Sequence, residues 1–189
     1  MLTIDRILEE TGALLEGHFK LTSGLHSDRY IDKMKILQYP LYTQWIANEM
    51  AKPFADDEID VVIGPAMGGI ILAYEVAKVL NKIAFFTNRD KEGKMVLRKS
   101  FDLKVGAKVL VVEDIVTTGG SVFEVLKLLK EKEVIVKGVS LIIDRSGGEV
   151  DFGVKTNALK RLKVEAFDPE DCPLCKKGID FTVLGSTGK

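Results

Sequence analysis

Val109-Leu-Val-Val-Glu-Asp-Ile-Val-Thr-Thr-Gly-Gly-Ser121 reads as a buried strand, two adjacent carboxylates and a turn rich in hydroxyls and glycine. The β-branched apolar run predicts a strand over 108–112, and the apolar spacing beyond the turn predicts a helix over 121–132. A turn of this kind at a helix start presents free backbone N–H groups, glycines that permit close approach, and the hydroxyls of Thr117, Thr118 and Ser121. Those are the parts of a phosphate cradle. Glu113 and Asp114, just before it, are placed to accept hydrogen bonds from sugar hydroxyls. One loop can therefore hold a ribose by its diol and its 5′-phosphate together. Asp and Thr before a helix are common caps, and either half of the string alone reads as ordinary structure. The whole string after an apolar strand is far more specific. It is not a Walker A loop, since no Gly-Lys-Ser/Thr follows a strand. Gly185-Ser-Thr-Gly-Lys189 has a superficial likeness to one but no helix to follow it. A Gly-x-Gly-x-x-Gly after the first strand is also lacking, which disfavours a dinucleotide-binding dehydrogenase.

Working outward, short apolar runs alternate with helical patterns. A first helix is predicted over 3–15, then a polar stretch with turn signals over 17–33, then a helix over 41–54 after Pro40. Strands are predicted over 60–63 (ending in Gly64-Pro65), 83–87, 137–143 and 162–167, with a helix over 68–80. Strands of this length separated by ten-residue helices indicate βαβ units, hence an α/β fold with a parallel sheet flanked by helices. Such sheets bind ligands at the carboxyl ends of their strands.

Composition narrows the function. The chain has 189 residues, 46% of them apolar and 29% charged, as in an ordinary soluble protein. A chain of this length buries roughly 70% of its unfolded surface. A net charge of −1 gives no broad basic field and disfavours non-specific nucleic-acid binding. Lys91, Lys94, Arg98 and Lys99 crowd one stretch, which suggests an anionic ligand, although taken alone the stretch reads better as a solvated charged loop. No stretch reaches membrane-spanning length, and the start of the chain reads as an amphipathic helix rather than a signal peptide. The two cysteines, Cys172 and Cys175, suit a reducing cytoplasm and exclude a disulfide framework. Their Cys-x-x-Cys spacing is half of a zinc site. With no second pair or histidine close in sequence, they are read as small residues in a turn, with no metal held inside one subunit. A dimer could supply a second pair.

Val109–Ser121 resembles the phosphoribosyl diphosphate (PRPP) motif of type I phosphoribosyltransferases, and the likeness extends over nearly the whole chain. Gly64-Pro-Ala-Met-Gly-Gly69 matches the loop that receives the pyrophosphate in that family. The resemblance implies a single domain over 1–189, with residues 1–40 contributing to a hood over the base. It implies that Glu113, Asp114, Ile115, Val116, Thr117, Thr118, Gly119, Gly120, Ser121, Arg89, Gly68 and Gly69 bind PRPP. Mg²⁺ is the implied cofactor, bridging pyrophosphate and ribose oxygens.

Three features resemble the orotate-using branch. Phe19-Lys-Leu-Thr-Ser-Gly24, with Ser27 and Tyr30, looks like its base-covering segment, which would set Tyr30 against the pyrimidine and let Lys33 serve the charged ligand. Arg145 follows a predicted strand where that branch has an arginine for the orotate carboxylate; a guanidinium binds a planar carboxylate through parallel donors. Thr117 would also touch orotate. Arg89 ends another strand where the branch has an arginine for pyrophosphate. Arg89, Lys91, Lys94 and Asp114 are then the candidate catalytic residues. A homodimer with shared sites is implied, using PRPP and orotate, without nucleic acid or membrane. A phosphoribosyltransferase for a purine and a non-enzymatic PRPP-sensing regulator remain as alternatives. The chain departs from the common pattern at Gly68 and Thr22, where lysines are frequent, and in a 90–100 loop without histidine. His18 and His26 are expected to be polar surface residues.

Overall fold

The computed structural model describes residues 1–21 and 23–184. Thr22 and the Gly185–Lys189 stretch discussed above lie outside the described residues. In chain order the elements are α1 (Ile4–Thr11), β1 (Leu14–Lys20), β2 (His26–Ile31), α2 (Lys33–Leu37) and α3 (Pro40–Ala51). Then come β3 (Val61–Pro65), α4 (Gly68–Leu80), β4 (Ile83–Arg89), β5 (Met95–Leu97), β6 (Lys108–Val116) and α5 (Gly120–Glu131). The chain continues through β7 (Ile135–Asp144), β8 (Thr156–Arg161), α6 (Pro173–Lys176) and β9 (Thr182–Val183). They form two compact units, one of residues 1–36 and 163–189, the other of residues 37–162.

The second unit is built on a six-stranded sheet in the order β5-β4-β3-β6-β7-β8. All neighbours are parallel except β5, which returns antiparallel along β4 through Thr87↔Leu97 and Arg89↔Met95. This is the expected α/β sheet. Its central strands are apolar on both faces because helices cover both. One face carries Ile63, Phe85, Val109, Val111 and Val139 against Val122, Val125 and Leu129 of α5, all buried. Helices α3 and α4 pack on each other and against strands of the same sheet. Helix α3 starts with Pro40, whose missing N–H is no loss in a first turn. Helix α4 stops at Asn81, which takes the left-handed conformation at φ 55°.

The first unit holds a three-stranded sheet in the order β2-β1-β9, with β1 antiparallel to β2 and parallel to β9. Three expectations fail there. The helix predicted over 3–15 ends at Thr11, because Gly12 caps it at φ 58°, and Leu14 and Leu15 open β1 instead. The stretch 17–33, read as turns, is mostly a hairpin: β1 and β2 run antiparallel around the turn at Leu21, whose N–H donates to the Leu25 carbonyl at 2.8 Å. No strand spans 162–167; the last sheet strand of the second unit is β8, and Phe167 makes only an isolated bridge to His26. No helix among the described residues is long and apolar enough to cross a membrane.

Candidate active site

Strand β6 is longer than predicted. It runs to Val116, so Glu113 and Asp114 lie inside the strand instead of in a loop after it. Adjacent strand residues point to opposite faces. Glu113 therefore shares the face of Val109 and Val111, and Asp114 that of Leu110 and Val112. Both are buried, at 7% and 1% exposure. Asp114 N–H donates to Glu113 Oε1 at 3.0 Å, and Ile115 N–H donates to Asp114 Oδ1 at 2.7 Å.

The turn itself is Thr117–Gly119. Thr117, Thr118, Gly120 and Ser121 are exposed. Gly119 has φ 78°, and a Cβ there would stand 2.9 Å from both Phe152 and Val150, so glycine is required on both counts. The first bond across this start runs from Phe123 N–H to the Gly119 carbonyl at 2.9 Å. The amides just before Phe123 precede the helical ladder, as an anion cradle requires.

The loop after β3 is a neighbour of this turn because β3 and β6 pair directly, Val61↔Val109 through Ile63↔Val111. Ala66 N–H donates to the Thr87 carbonyl of β4 at 2.7 Å. A Cβ on Gly68 would fall 1.8 Å from Asp114 Oδ2. With the Asp114 carboxylate in this position, there is no space for a side chain at 68.

Arg145 follows the last residue of β7. It is buried, and its backbone N–H donates to the Val116 carbonyl at 2.7 Å, which sets it beside the start of the 117–121 turn. The chain is held there by Asp144, whose Oδ1 accepts from Ser146 N–H at 2.9 Å and Ser146 Oγ–H at 2.6 Å. The carboxyl ends of β3, β6 and β7 thus bring Gly68, Gly69, Asp114, Thr117–Ser121 and Arg145 into one region.

Arg89 is engaged elsewhere. Its guanidinium is 2.6 Å from Glu124 Oε2 and donates to Glu124 Oε1 at 3.0 Å and to the Gly93 carbonyl at 2.8 Å. It faces α5 across a cavity of about 320 Å³ also lined by Lys94, Glu124, Lys127, Leu128 and Glu131. Residues 90–97 form a hairpin with β4. Asp90 Oδ1 accepts from the N–H groups of Glu92 and Lys94, both at 2.9 Å, and Lys91 and Lys94 are exposed. Tyr30 lies in the first unit, on β2, with its ring 5.7 Å from that of Phe19.

His18 and His26 are not surface residues. They are 4% and 3% exposed, and their rings stand beside Cys172 and Cys175. No histidine is close to the cysteine pair in sequence, yet β1 and β2 carry both histidines to a segment about 150 residues away, so the pair does not stand alone in a turn. The signal was present only as His18 and His26 flanking the hairpin turn. Burial pushes His26 below its ordinary value, helped by the charges of His18 and Lys20 and opposed by Asp168. Burial pushes the Cys175 thiol up, with its contact to Cys172 adding to the effect.

A parallel sheet with a hydroxyl- and glycine-rich turn after one central strand and a glycine-lined loop after its neighbour defines an α/β protein with a candidate site at its strand ends. The phosphoribosyl transferase domain family matches residues 35–170, and the chain belongs to that family. It is 51% identical over 185 residues to a Thermotoga maritima protein named orotate phosphoribosyltransferase, covering 98% of each chain. A Desulforamulus reducens protein of the same name is 50% identical over 180 residues, covering 95% of this chain and 94% of the relative. Among solved structures, orotate phosphoribosyltransferase from Aeropyrum pernix is similar at 26% identity and TM-score 0.73, over 85% of this chain and 94% of that one.

Proposed function

We infer that this protein transfers the 5-phosphoribosyl group of PRPP to orotate, giving orotidine 5′-monophosphate and pyrophosphate in pyrimidine nucleotide synthesis. The observation that carries the reading is the junction of the two loops: the Asp114 carboxylate lies against Gly68, at the foot of a helix-start cradle. It is joined by identity of about half over almost the full length to enzymes of that name.

Breaking the anomeric C–O bond leaves positive charge on the ribose ring and negative charge on pyrophosphate. The protein's task is positioning and electrostatic stabilisation. Thr117, Thr118, Gly119, Gly120 and Ser121 hold the 5′-phosphate through N–H and hydroxyl groups. Asp114 accepts from ribose hydroxyls, with Glu113 supporting the strand end. Gly68 and Gly69, at the start of α4, receive the pyrophosphate through helix-start N–H groups. Arg145 pairs with the orotate carboxylate and turns the ring nitrogen toward the anomeric carbon. Arg89, Lys91 and Lys94 neutralise the leaving group, which requires Arg89 to exchange Glu124 for pyrophosphate. The donors at the end of β6 are carboxylate and hydroxyl oxygens, a set that fits Mg²⁺, which supplies charge neutralisation on the pyrophosphate oxygens when bound. The enzyme works as a cytoplasmic homodimer.

Turnover with PRPP and Mg²⁺ is to be compared for orotate, uracil, adenine, guanine and hypoxanthine. Orotate is expected to be used fastest. A faster purine would move the chain to another branch of the family, and PRPP binding without turnover of any base would make it a sensor.

A further inference from the structure

We propose that His18, His26, Cys172 and Cys175 bind one zinc ion, which fastens the β1–β2 hairpin to the C-terminal segment. All four residues belong to the first unit. One ligand atom from each lies within 4.8 Å of every other. His18 Nε2 is 2.9 Å from His26 Nδ1, and Cys172 Sγ is 3.5 Å from His18 Nε2. Cys175 Sγ is 3.2 Å from His26 Nδ1 and 3.8 Å from His18 Nε2. Zinc bonds of about 2.0–2.1 Å to nitrogen and about 2.3 Å to sulfur set tetrahedral edges of about 3.3 Å for N···N and about 3.5 Å for N···S. These four distances lie within about half an ångström of those edges.

The protonation pattern also fits. His18 Nδ1 lies 2.6 Å from the Ile179 carbonyl, an atom that can only accept. The proton of a neutral His18 therefore sits on Nδ1, and the Nε2 lone pair faces the centre of the cluster. A backbone carbonyl fixing the distal nitrogen is the usual outer partner of a zinc-bound imidazole. Three of the four residues are buried and Cys175 is half-buried. Phe181 packs against both imidazoles, with ring centroids 5.7 Å from His18 and 4.9 Å from His26. A closed two-nitrogen, two-sulfur set with no place kept for water is that of a structural zinc, not a catalytic one.

The position gives the ion work to do. The hairpin is joined to the C-terminal segment through β9, which pairs at only Phe19↔Thr182 and Lys20↔Val183, and through the His26↔Phe167 bridge. Two ligands from each side cross-link segments that the whole second unit separates in sequence. This inference rests on four side chains outside the PRPP loops and stands apart from the choice of base.

The test is metal analysis of the full-length protein after gel filtration, with zinc or cobalt(II) resupplied. The wild type is expected to hold about one zinc per chain, and its cobalt form to show the visible bands and thiolate charge-transfer absorption of a tetrahedral sulfur-containing site. Cys172→Ser/Cys175→Ser is expected to lower zinc at least about tenfold, whereas Cys175→His, which keeps a ligand, retains it. Chelation is expected to lower the melting temperature by about 5 °C or more. A wild type that takes up no zinc overturns the proposal, as does an octahedral cobalt spectrum. So does a pair that cycles to a disulfide without binding metal, or zinc content unchanged in the double variant. Should the double variant fail to fold, the wild-type stoichiometry and cobalt spectrum decide alone.

Discussion

In the second unit β3 is buried at all five residues and β6 at seven of its nine, whereas in the first unit β1 buries only His18 and Phe19. One region is held by stacked Val, Ile and Leu side chains beneath helices on both faces. The other has short strands, a four-residue helix and a cluster of two histidines and two cysteines at its centre. The difference follows from size. A sheet covered on both sides buries enough apolar surface to stand by itself, while a small unit made from two ends of a chain needs a further tie. Chemistry divides the same way: the residues that meet at the strand ends all belong to the well-packed unit, where a rigid sheet fixes their positions.

The largest effect is expected where that rigidity is tightest. Gly68→Ala puts a methyl group 1.8 Å from Asp114 Oδ2 as the structure stands, so the Asp114 carboxylate must turn away, or α4 or β6 must shift. Displacement of about 1 Å at a reacting centre costs about 100-fold, and kcat/KM for PRPP is expected to fall by that order. Near-normal efficiency would show that the two loops are not positioned by this contact. Asp114→Asn comes next. It keeps the shape but removes a charge-assisted hydrogen bond worth about 1.5–3 kcal/mol, so kcat/KM for PRPP is expected to drop about tenfold or more. Wild-type kinetics in that variant would remove Asp114 from the sugar site.

How much of each region could be read from sequence reflects the same contrast. The runs at 61–63, 109–112 and 141–143 are continuous and apolar, so the parallel sheet and the turn after β6 were legible at once. The strand's true end was not, because Glu113 and Asp114 look like loop residues until their burial at the sheet's centre is known. In the first unit, Leu-Leu-Glu-Gly-His-Phe-Lys and His-Ser-Asp-Arg-Tyr-Ile carry too many polar residues for a strand signal, and pairing alone makes them a hairpin. The histidine–cysteine cluster was hidden for a related reason: its halves lie at opposite ends of the chain, and only the fold joins them. Arg89 was legible as a strand-end arginine, but its partner Glu124 sits a helix away.

A smaller and more selective effect is expected at Arg145. It stands after β7 while the 117–121 turn stands after β6, so in the proposed site the two ligands are held by different strands. Arg145→Ala is expected to raise the KM for orotate about tenfold, the loss of one charged hydrogen-bonded pair, with PRPP affinity nearly unchanged. Equal collapse of PRPP affinity in a titration would make Arg145 a prop for Val116 and the turn instead of a base-binding residue.

The smallest expected change, a factor of two, concerns the hairpin at 90–97, which belongs to neither pattern: it is part of the sheet through β5 yet carries Lys91 and Lys94 on an exposed tip. In the homodimer proposed above, this tip acts on PRPP held by the partner's Thr117–Ser121 turn. Lys91→Ala/Lys94→Ala and Asp114→Ala, each inactive alone, are to be mixed under conditions where subunit exchange is shown independently. With the lysines acting across the dimer, a mixed dimer has one site with both defects and one with neither, so each mixed dimer regains about half the activity of a wild-type dimer. With the lysines acting within their own subunit, every site keeps one defect and mixing restores nothing. Recovery would make the sheet a rigid base for a tip that serves a neighbour. Its absence, with exchange demonstrated, would confine each active site to the strand ends of a single chain.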